Sequence, residues 1–302
     1  MVNESKPTQE RDPQGEFLSP PVEGKRSRWG FRGMTVRDWL PIFGALLIPV
    51  VIAAGSWWIT WQQGKIEDRR GKVDRELAEQ RAQDEALQGY LGQMNNLLLE
   101  HNLRNSEEDS EARTLARART LTVLRRLDSS DKIVVMLFLE EAELIWTRPE
   151  EEGPPIISLM GAPLRNVNLI SSDLRRADLS FADLRDAKLR STLLIGADLT
   201  GADLSGADLG DSGLIDANLS YAVLRKADLS NAVLGFVNLR EADLHGADLS
   251  ETDLTFANLT DAEGITNEEL DQQAASLEDA TMPNGQKYED WLEEKESRGE
   301  HK

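Results

Sequence analysis

Residues 197–210 read ADLTGADLSGADLG, and the spacing inside that stretch decides the fold. Leu recurs at every fifth position from Leu159 to Leu259, 21 leucines in unbroken register. Two positions before each Leu sits a small residue, as at Ala177, Ala182, Ala187, Ala197, Ala202 and Ala207. Ser172, Thr192, Ser212 and Thr252 are the polar exceptions, and Ile157, Val167 and Val237 the larger ones. The position before Leu is usually Asp or Asn, as at Asp178, Asp183, Asp198 and Asn218.

A period of five suits neither a helix, whose apolar face repeats near 3.6 residues, nor a strand, which repeats near 2. Within one unit the Ala and the Leu are two apart, which is strand spacing. Each unit therefore reads as a short extended edge with both side chains inward, followed by a turn. Repetition winds a solenoid whose rungs stack about 4.8 Å apart. The interior should be narrow and dry. Gly196, Gly201, Gly206 and Gly246 fall two after a Leu, where a corner needs backbone freedom. The Asp and Asn residues suit a structural role, satisfying nearby backbone amides at the turns.

Units such as Ala197-Asp198-Leu199-Thr200-Gly201 and Ala202-Asp203-Leu204-Ser205-Gly206 resemble the pentapeptide-repeat family. That resemblance covers roughly a third of the chain and implies a right-handed quadrilateral β-helix with four units, about 20 residues, per coil. The 21 leucine units would make about five coils, about 25 Å long. Four corners also sort the outward residues. The face centred on Leu194, Leu214, Leu234 and Leu254 exposes Leu193, Ile195, Ile215, Val233, Phe236 and Phe256, and Phe236 and Phe256 should stack on adjacent coils. The face of Leu169 and Leu189 carries Asp208, Asp228 and Asp248 as a column, with Asp211 and Glu251 beside it. Arg165, Arg185 and Arg225 share a column on a third face. An exposed apolar strip marks either a contact site or a surface covered by the chain's own helices.

Outward from the repeats, residues 1–38 are rich in Pro, Gly and charge and read as a disordered tail ending in Lys25, Arg26, Arg28, Arg32 and Arg37. Trp39 to Trp61 is 23 residues without a charge. At helical rise it spans about 35 Å, enough for a bilayer. Trp39 sits at one end and Trp57, Trp58 and Trp61 at the other, where interfacial aromatics belong. The expected localisation is therefore a single-pass membrane protein, with residues 39–61 its contact with the lipid bilayer. Five Lys or Arg flank each end, so the positive-inside rule favours neither orientation.

Residues 62–148 read as a helical module. From Lys65 to about Leu99, Ile66, Val73, Leu87 and Met94 form one heptad seam and Leu77, Leu91 and Leu98 a second, interrupted by Arg70, Gln80 and Asp84. A coiled-coil homodimer and a single amphipathic helix are both compatible with this pattern. Ser106 with Asp109 is a capping-box signature for a second helix, with Leu115, Ala118, Leu121, Leu124 and Leu127 inward. Around it lie Arg113, Arg117, Arg119, Arg125 and Arg126, expected to pair with nearby carboxylates. In Asp131–Ile145 strand and helix compete, and Glu140 to Leu144 favour helix. Residues 149–155 read as a Pro- and Glu-rich linker and 156–262 as the β-helix. After Leu259 the beat stops, and residues 263–302 read as a cap and tail: Thr266 and Glu269 open a helix through Leu277, Pro283-Asn284-Gly285 turns, and Trp291 packs. The expected fold is thus a mainly β solenoid preceded by a transmembrane helix and a small α-helical module, with a C-terminal helical cap.

A net charge of −20 over 302 residues argues against direct nucleic-acid binding. There is no cysteine, and histidine occurs only at His101, His245 and His301. No phosphate loop and no paired metal spacing is present, the acidic column is better read as solvated carboxylates than as a cation site, and no cofactor, metal or catalytic residue is expected. The leucine register leaves no interruption for an active-site loop, so the chain reads as no enzyme. Two functions compete. One is a membrane-tethered, non-catalytic scaffold that binds a protein partner through the strip at Leu193, Ile195, Ile215, Val233, Phe236 and Phe256. The other follows from the resemblance: an acidic mimic of DNA that binds a type II topoisomerase.

Overall fold

The structure, a computed structural model, describes residues 36–147 and 153–299. The expected tail up to residue 35, the core of the linker and the last three residues lie outside them. The chain divides into two units, Met1–Val73 and Asp74–Lys302.

Helix α1 is Val36–Leu99. In the first unit its Leu46, Ile48, Val51, Ile52, Trp57, Trp58 and Trp61 are all exposed. Its polar side chains bond inside the helix instead: Ser56 Oγ donates to the Ile52 carbonyl at 2.7 Å and Thr60 Oγ1 to the Ser56 carbonyl at 2.8 Å. Trp57 stacks on Trp61 at 6.5 Å, and Lys65 Nζ lies 3.8 Å over the Trp61 ring. This helix is long and apolar enough to cross a membrane, by length and composition.

In the second unit the last turns of α1 pack with α2 (Glu111–Arg126) and α3 (Ser129–Glu141). Tyr90, Met94 and Leu97 are buried, with Leu91 and Leu98 packed against the same core. The Tyr90 hydroxyl bonds Thr120 Oγ1 at 2.9 Å, and burial pushes it well above the usual tyrosine range. The end of the heptad seam is therefore used within the chain, while Leu77 is exposed. Two expectations need correction. The N-cap of α2 is Ser110, whose side chain accepts from the Arg113 amide; Ser106 instead closes the short 3-10 turn Leu103–Asn105. The inward face of α2 is rotated accordingly, with Ala116, Thr120, Val123 and Leu124 buried and Leu115 and Ala118 exposed. The strand–helix ambiguity at 131–145 resolves as helix because Asp128 caps it, accepting from the Ser130 and Asp131 amides.

The repeats form a β-helix solenoid. Units twenty residues apart are joined by parallel bridges, such as Leu193 to Gly213 and Gly213 to Val233. Between stacked rungs each Leu but Leu249 donates its amide to the next rung (Leu174 to the Leu193 carbonyl, 2.8 Å), and from Asp183 on the residue before Leu donates to the previous one (Leu193 to the Ser172 carbonyl, 3.0 Å); the Leu249 amide donates to Gln273 Oε1 at 3.1 Å. Within each unit a turn closes between the Leu carbonyl and the next small residue, as from Ala177 to Leu174 at 3.1 Å. The third residue of that turn has positive φ throughout: Gly196, Gly201, Gly206 and Gly246, but also Arg176, Phe181, Tyr221, Lys226, Phe236 and Phe256. A type II turn demands this at its third position, and each non-Gly residue held there costs roughly 1 kcal/mol. The ladder bond that its amide makes, as Arg176 to the Ile195 carbonyl at 2.9 Å, offsets the cost.

Inside, every Leu of the register and nearly every Ala is buried. Three of the four hydroxyls at the Ala position bond backbone carbonyls: Thr192 Oγ1 donates to the Leu169 carbonyl, Ser212 Oγ to that of Leu209 and Thr252 Oγ1 to that of Leu249. The Asp and Asn residues cap the turns as expected. Asp198 Oδ1 accepts from the Thr200 amide at 3.0 Å and Asn258 Oδ1 from that of Thr260 at 3.1 Å.

Both ends of the ladder find substitutes. The Asp173 amide, with no earlier rung to bond, donates to Glu140 Oε1 at 2.8 Å, and the Ile157 amide to the Leu144 carbonyl at 2.7 Å. Arg117 donates to the Met160 carbonyl at 2.9 Å. The arginines of α2 do not pair as expected: none of the five makes an ion pair among the described residues. At the other end α4 is Asn267–Gln273, opened by the Thr266–Glu269 capping box. It stops short of Leu277, and the rung pattern then resumes. Ala275-Ser276-Leu277 and Ala280-Thr281-Met282 are two further units, bridged to Asp253 and Asn258. The beat had shifted by three residues across α4 rather than stopping. Beyond the turn at Pro283 lies α5, Tyr288–Ser297, with Trp291 buried. Tyr288 and Lys295 both donate to Asp271, at 2.7 and 2.9 Å. Burial, with the Asp271 carboxylate beside it, pushes the Tyr288 hydroxyl up to about 12.

Candidate interaction surface

The six residues of the predicted strip lie on one face and are all solvent-exposed, from 37% for Ile195 and Ile215 to 58% for Phe236. Within the second unit no described residue covers them, so the alternative of a surface packed under the chain's own helices does not hold for α2–α5. The Phe236 and Phe256 rings stack at 4.7 Å and 10°, as their twenty-residue spacing predicts. Both have φ of 60°. Two aromatic side chains are thus held on the surface at positions where glycine would be easier.

Two residues of this face escaped the sequence reading. Gly213 and Gly235 lie between the apolar residues, yet neither has positive φ. A Cβ on Gly213 would meet only Leu193 Cδ2 and Ile195 Cγ1, at 3.8 and 4.0 Å, and one on Gly235 only the Thr255 carbonyl at 3.8 Å. Those are ordinary contacts, so neither position needs glycine for the fold. Gly201 differs: its φ is +63° and a Cβ there would come within 2.7 Å of the Phe181 ring.

The strip is bounded by charge. Its first rung carries Arg175 and Arg176, and the rung added after α4 carries Glu278 and Asp279. Arg175 bonds Asp173 and lies over the Trp146 ring at 5.3 Å. That guanidinium holds the Asp173 carboxyl below its ordinary value.

The neighbouring faces are laced by ion pairs. Arg185 bonds Asp183 at 2.7 Å and approaches Asp203 at 3.5 Å, and Arg165 reaches Asp186 at 3.1 Å. The Arg185 hydrogen bond holds the Asp183 carboxyl below the usual range. Arg225 pairs with Asp243, which also meets His245 Nδ1 at 2.7 Å. In the acidic column, Asp208 is approached by Arg190 at 3.8 Å, and Asp228 and Asp248 accept the amides of Ser230 and Ser250 at 2.9 Å. The described residues contain no group of acidic and imidazole side chains arranged to hold a metal ion.

A family model described as Pentapeptide repeats, in 8 copies, matches residues 157–196, 192–231 and 227–263. No curated protein matches the chain. Among solved structures, the pentapeptide repeat protein Rfr23 from the cyanobacterium Cyanothece 51142 is 33% identical. That alignment covers 35% of this chain and 62% of the other, less than two thirds of its length, with a TM-score of 0.23. HetL from Nostoc sp. strain PCC 7120, involved in heterocyst differentiation regulation, is 31% identical over 43% of this chain and 72% of that one, with a TM-score of 0.20. QnrB1, a plasmid-mediated fluoroquinolone resistance protein, is 22% identical over 51% and 76%, with a TM-score of 0.25. The family rests on the repeat register and the family model rather than on these superpositions. Through its segment 157–263 the chain belongs to the pentapeptide-repeat family.

Proposed function

We propose that this chain is a membrane-anchored, non-catalytic scaffold whose solenoid binds a protein partner through the strip at Leu193, Ile195, Ile215, Val233, Phe236 and Phe256. The stacked, exposed Phe236–Phe256 pair carries the reading. Burying a large aromatic side chain on binding is worth a few kcal/mol, and here two are held ready on a rigid ladder. In this reading residues 39–61 anchor the chain in the bilayer and 62–148 space the solenoid from it. The solenoid has about five coils, and residues 263–302 cap its far end. Aspartate substituted at Ile215 or Phe236 should abolish capture of the partner by the detergent-solubilised full chain and leave its circular dichroism and melting unchanged. Undiminished capture would refute the assignment of the strip.

The acidic mimic of DNA, binding a type II topoisomerase, is the second reading. The run Asp228, Asp248 and Glu251 favours it, while Arg165, Arg185, Arg190 and Arg225 neutralise much of the remaining acidic surface. A supercoiling assay with excess full-length protein separates the two: no effect on gyrase removes the mimic.

A further inference from the structure

Resting on the reading of the strip as a contact surface, we infer that its occupant is a second copy of this chain, packed face to face and antiparallel. Of the two glycines that the fold does not need, Gly213 is partly exposed and Gly235 is buried. Glycine at a surface position with ordinary φ and room for a Cβ is explained when something else must come close. What must come close can be read from the rungs of the face itself.

In chain order the rungs are headed by Asp173, Leu193, Gly213, Val233, Asp253 and Ser276, each bridged to the next. A two-fold axis along the rung direction, between the Gly213 and Val233 rungs, reverses their order and keeps the columns aligned. Gly213 then faces Val233 of the second copy, Gly235 faces Ile215 and Gly196 faces Phe256. The two partly exposed glycines of the face, Gly196 and Gly213, each receive a large apolar side chain, and each contact occurs twice, as an isologous interface requires. The same operation sets Arg175 against Glu278 and Arg176 against Asp279 at both ends. It also sets Asp216 against Phe236 and Asp253 against Leu193, in the outer columns at the rim of the face, where a carboxylate keeps its water. The parallel arrangement does the opposite. It sets Arg175 against Arg175 and Glu278 against Glu278, and it fills no hollow.

The charge of the chain points the same way. With a net charge of −20, two copies repel one another over most of their surface. This face has charge of opposite sign at its two ends, and between them carries two carboxylates, Asp216 and Asp253. Its flat area is roughly 300 Å², from about six rungs by about three extended residues. That is less than the ~800 Å² each partner buries in a stable soluble dimer. Confinement of both copies to one bilayer raises their effective concentration and makes up the difference.

The test uses the full chain in membranes and exploits its lack of cysteine. Two differently tagged copies, one Gly213→Cys and one Val233→Cys, should form a mixed disulfide on mild oxidation. Replacing either with Ser250→Cys, on the acidic face, should not. Phe256→Ala, which removes the exposed side chain set against Gly196, should cut the cross-linked yield roughly tenfold. Arg176→Glu and Asp279→Arg should each weaken linkage several-fold when both copies carry the same change, and a mixture of the two should restore it. Linkage no greater than in the Ser250→Cys control overturns the self-contact. If Ile215→Asp nevertheless abolishes capture of a different protein, the scaffold reading survives without it. Linkage with normal capture by Ile215→Asp keeps the self-contact and removes the wider scaffold.

Discussion

Two faces of the solenoid share one backbone and differ in almost everything they show to solvent. The face of Leu184, Leu204 and Leu224 holds Arg185 between Asp183 and Asp203 and ties Arg225 to Asp243. The face of Leu194, Leu214 and Leu234 presents Ile195, Ile215 and stacked phenylalanines. Beneath both, the same Leu is buried, the same amides make the same ladder, and the same turn residue is left-handed. The interior therefore specifies the fold without reference to the outward residues. Each face can be composed separately, and the composition of a face is a statement about function rather than stability.

The comparison breaks first in the core. Leu214→Ala and Leu224→Ala lie under the apolar and the charged face, and each should cost about 3 kcal/mol by thermal or urea unfolding. Losses differing by more than about 1 kcal/mol would mean that the faces do help hold the coil. A sharper contrast lies in the glycines. Gly201→Ala meets the Phe181 ring and a positive φ, and should cost about 1–2 kcal/mol. Gly235→Ala should be neutral or stabilising by up to about 0.5 kcal/mol, through the less flexible unfolded chain. A marked loss at Gly235 would give that glycine a role in the fold. The smallest effect is on pH. The folded Asp183 carboxyl is held below its unfolded value near ~3.9 by Arg185. Its contribution is complete above that value and is lost as pH falls through the folded pKa. The slope of stability with pH below about 4 should therefore flatten in Arg185→Met. Ile215→Asn, on the apolar strip, should leave the slope as it is.

Much of this was legible in the residues, for physical reasons that also mark where legibility ends. The register from Leu159 to Leu259 could be read because a core two residues wide admits only small and leucine side chains. The strip could be read because twenty-residue spacing assigns each residue to a face. The universal left-handed turn could not. Phe236 and Lys226 give no local hint of positive φ, and it is the ladder that imposes it. Ala275–Met282 carries the same small-x-large pattern but is displaced by three residues, so a reading tied to the original phase passes over it. In the helical module no periodic core supports the assignment. The local pattern at Ser106 looked like a cap, and the 3-10 turn at Leu103–Asn105 moved the true cap to Ser110. Gly213 and Gly235 were hidden because a glycine in a glycine-containing repeat looks ordinary until its φ is known.

The closure of the ladder every twenty residues has a consequence for how such a chain can change. Removing one five-residue unit would leave the core sealed and turn everything downstream through a quarter revolution. Deleting Asp203–Ala207, for example, would separate the Leu193–Ile195 rung from Phe236 and Phe256 and set these on adjacent walls. Single substitutions edit one square of a face, whereas unit gains and losses re-aim whole columns at once. The segment carrying α4 absorbs a three-residue offset and restores alignment before Ser276. It acts as a slip joint, so that the final rungs keep their place on the walls already built.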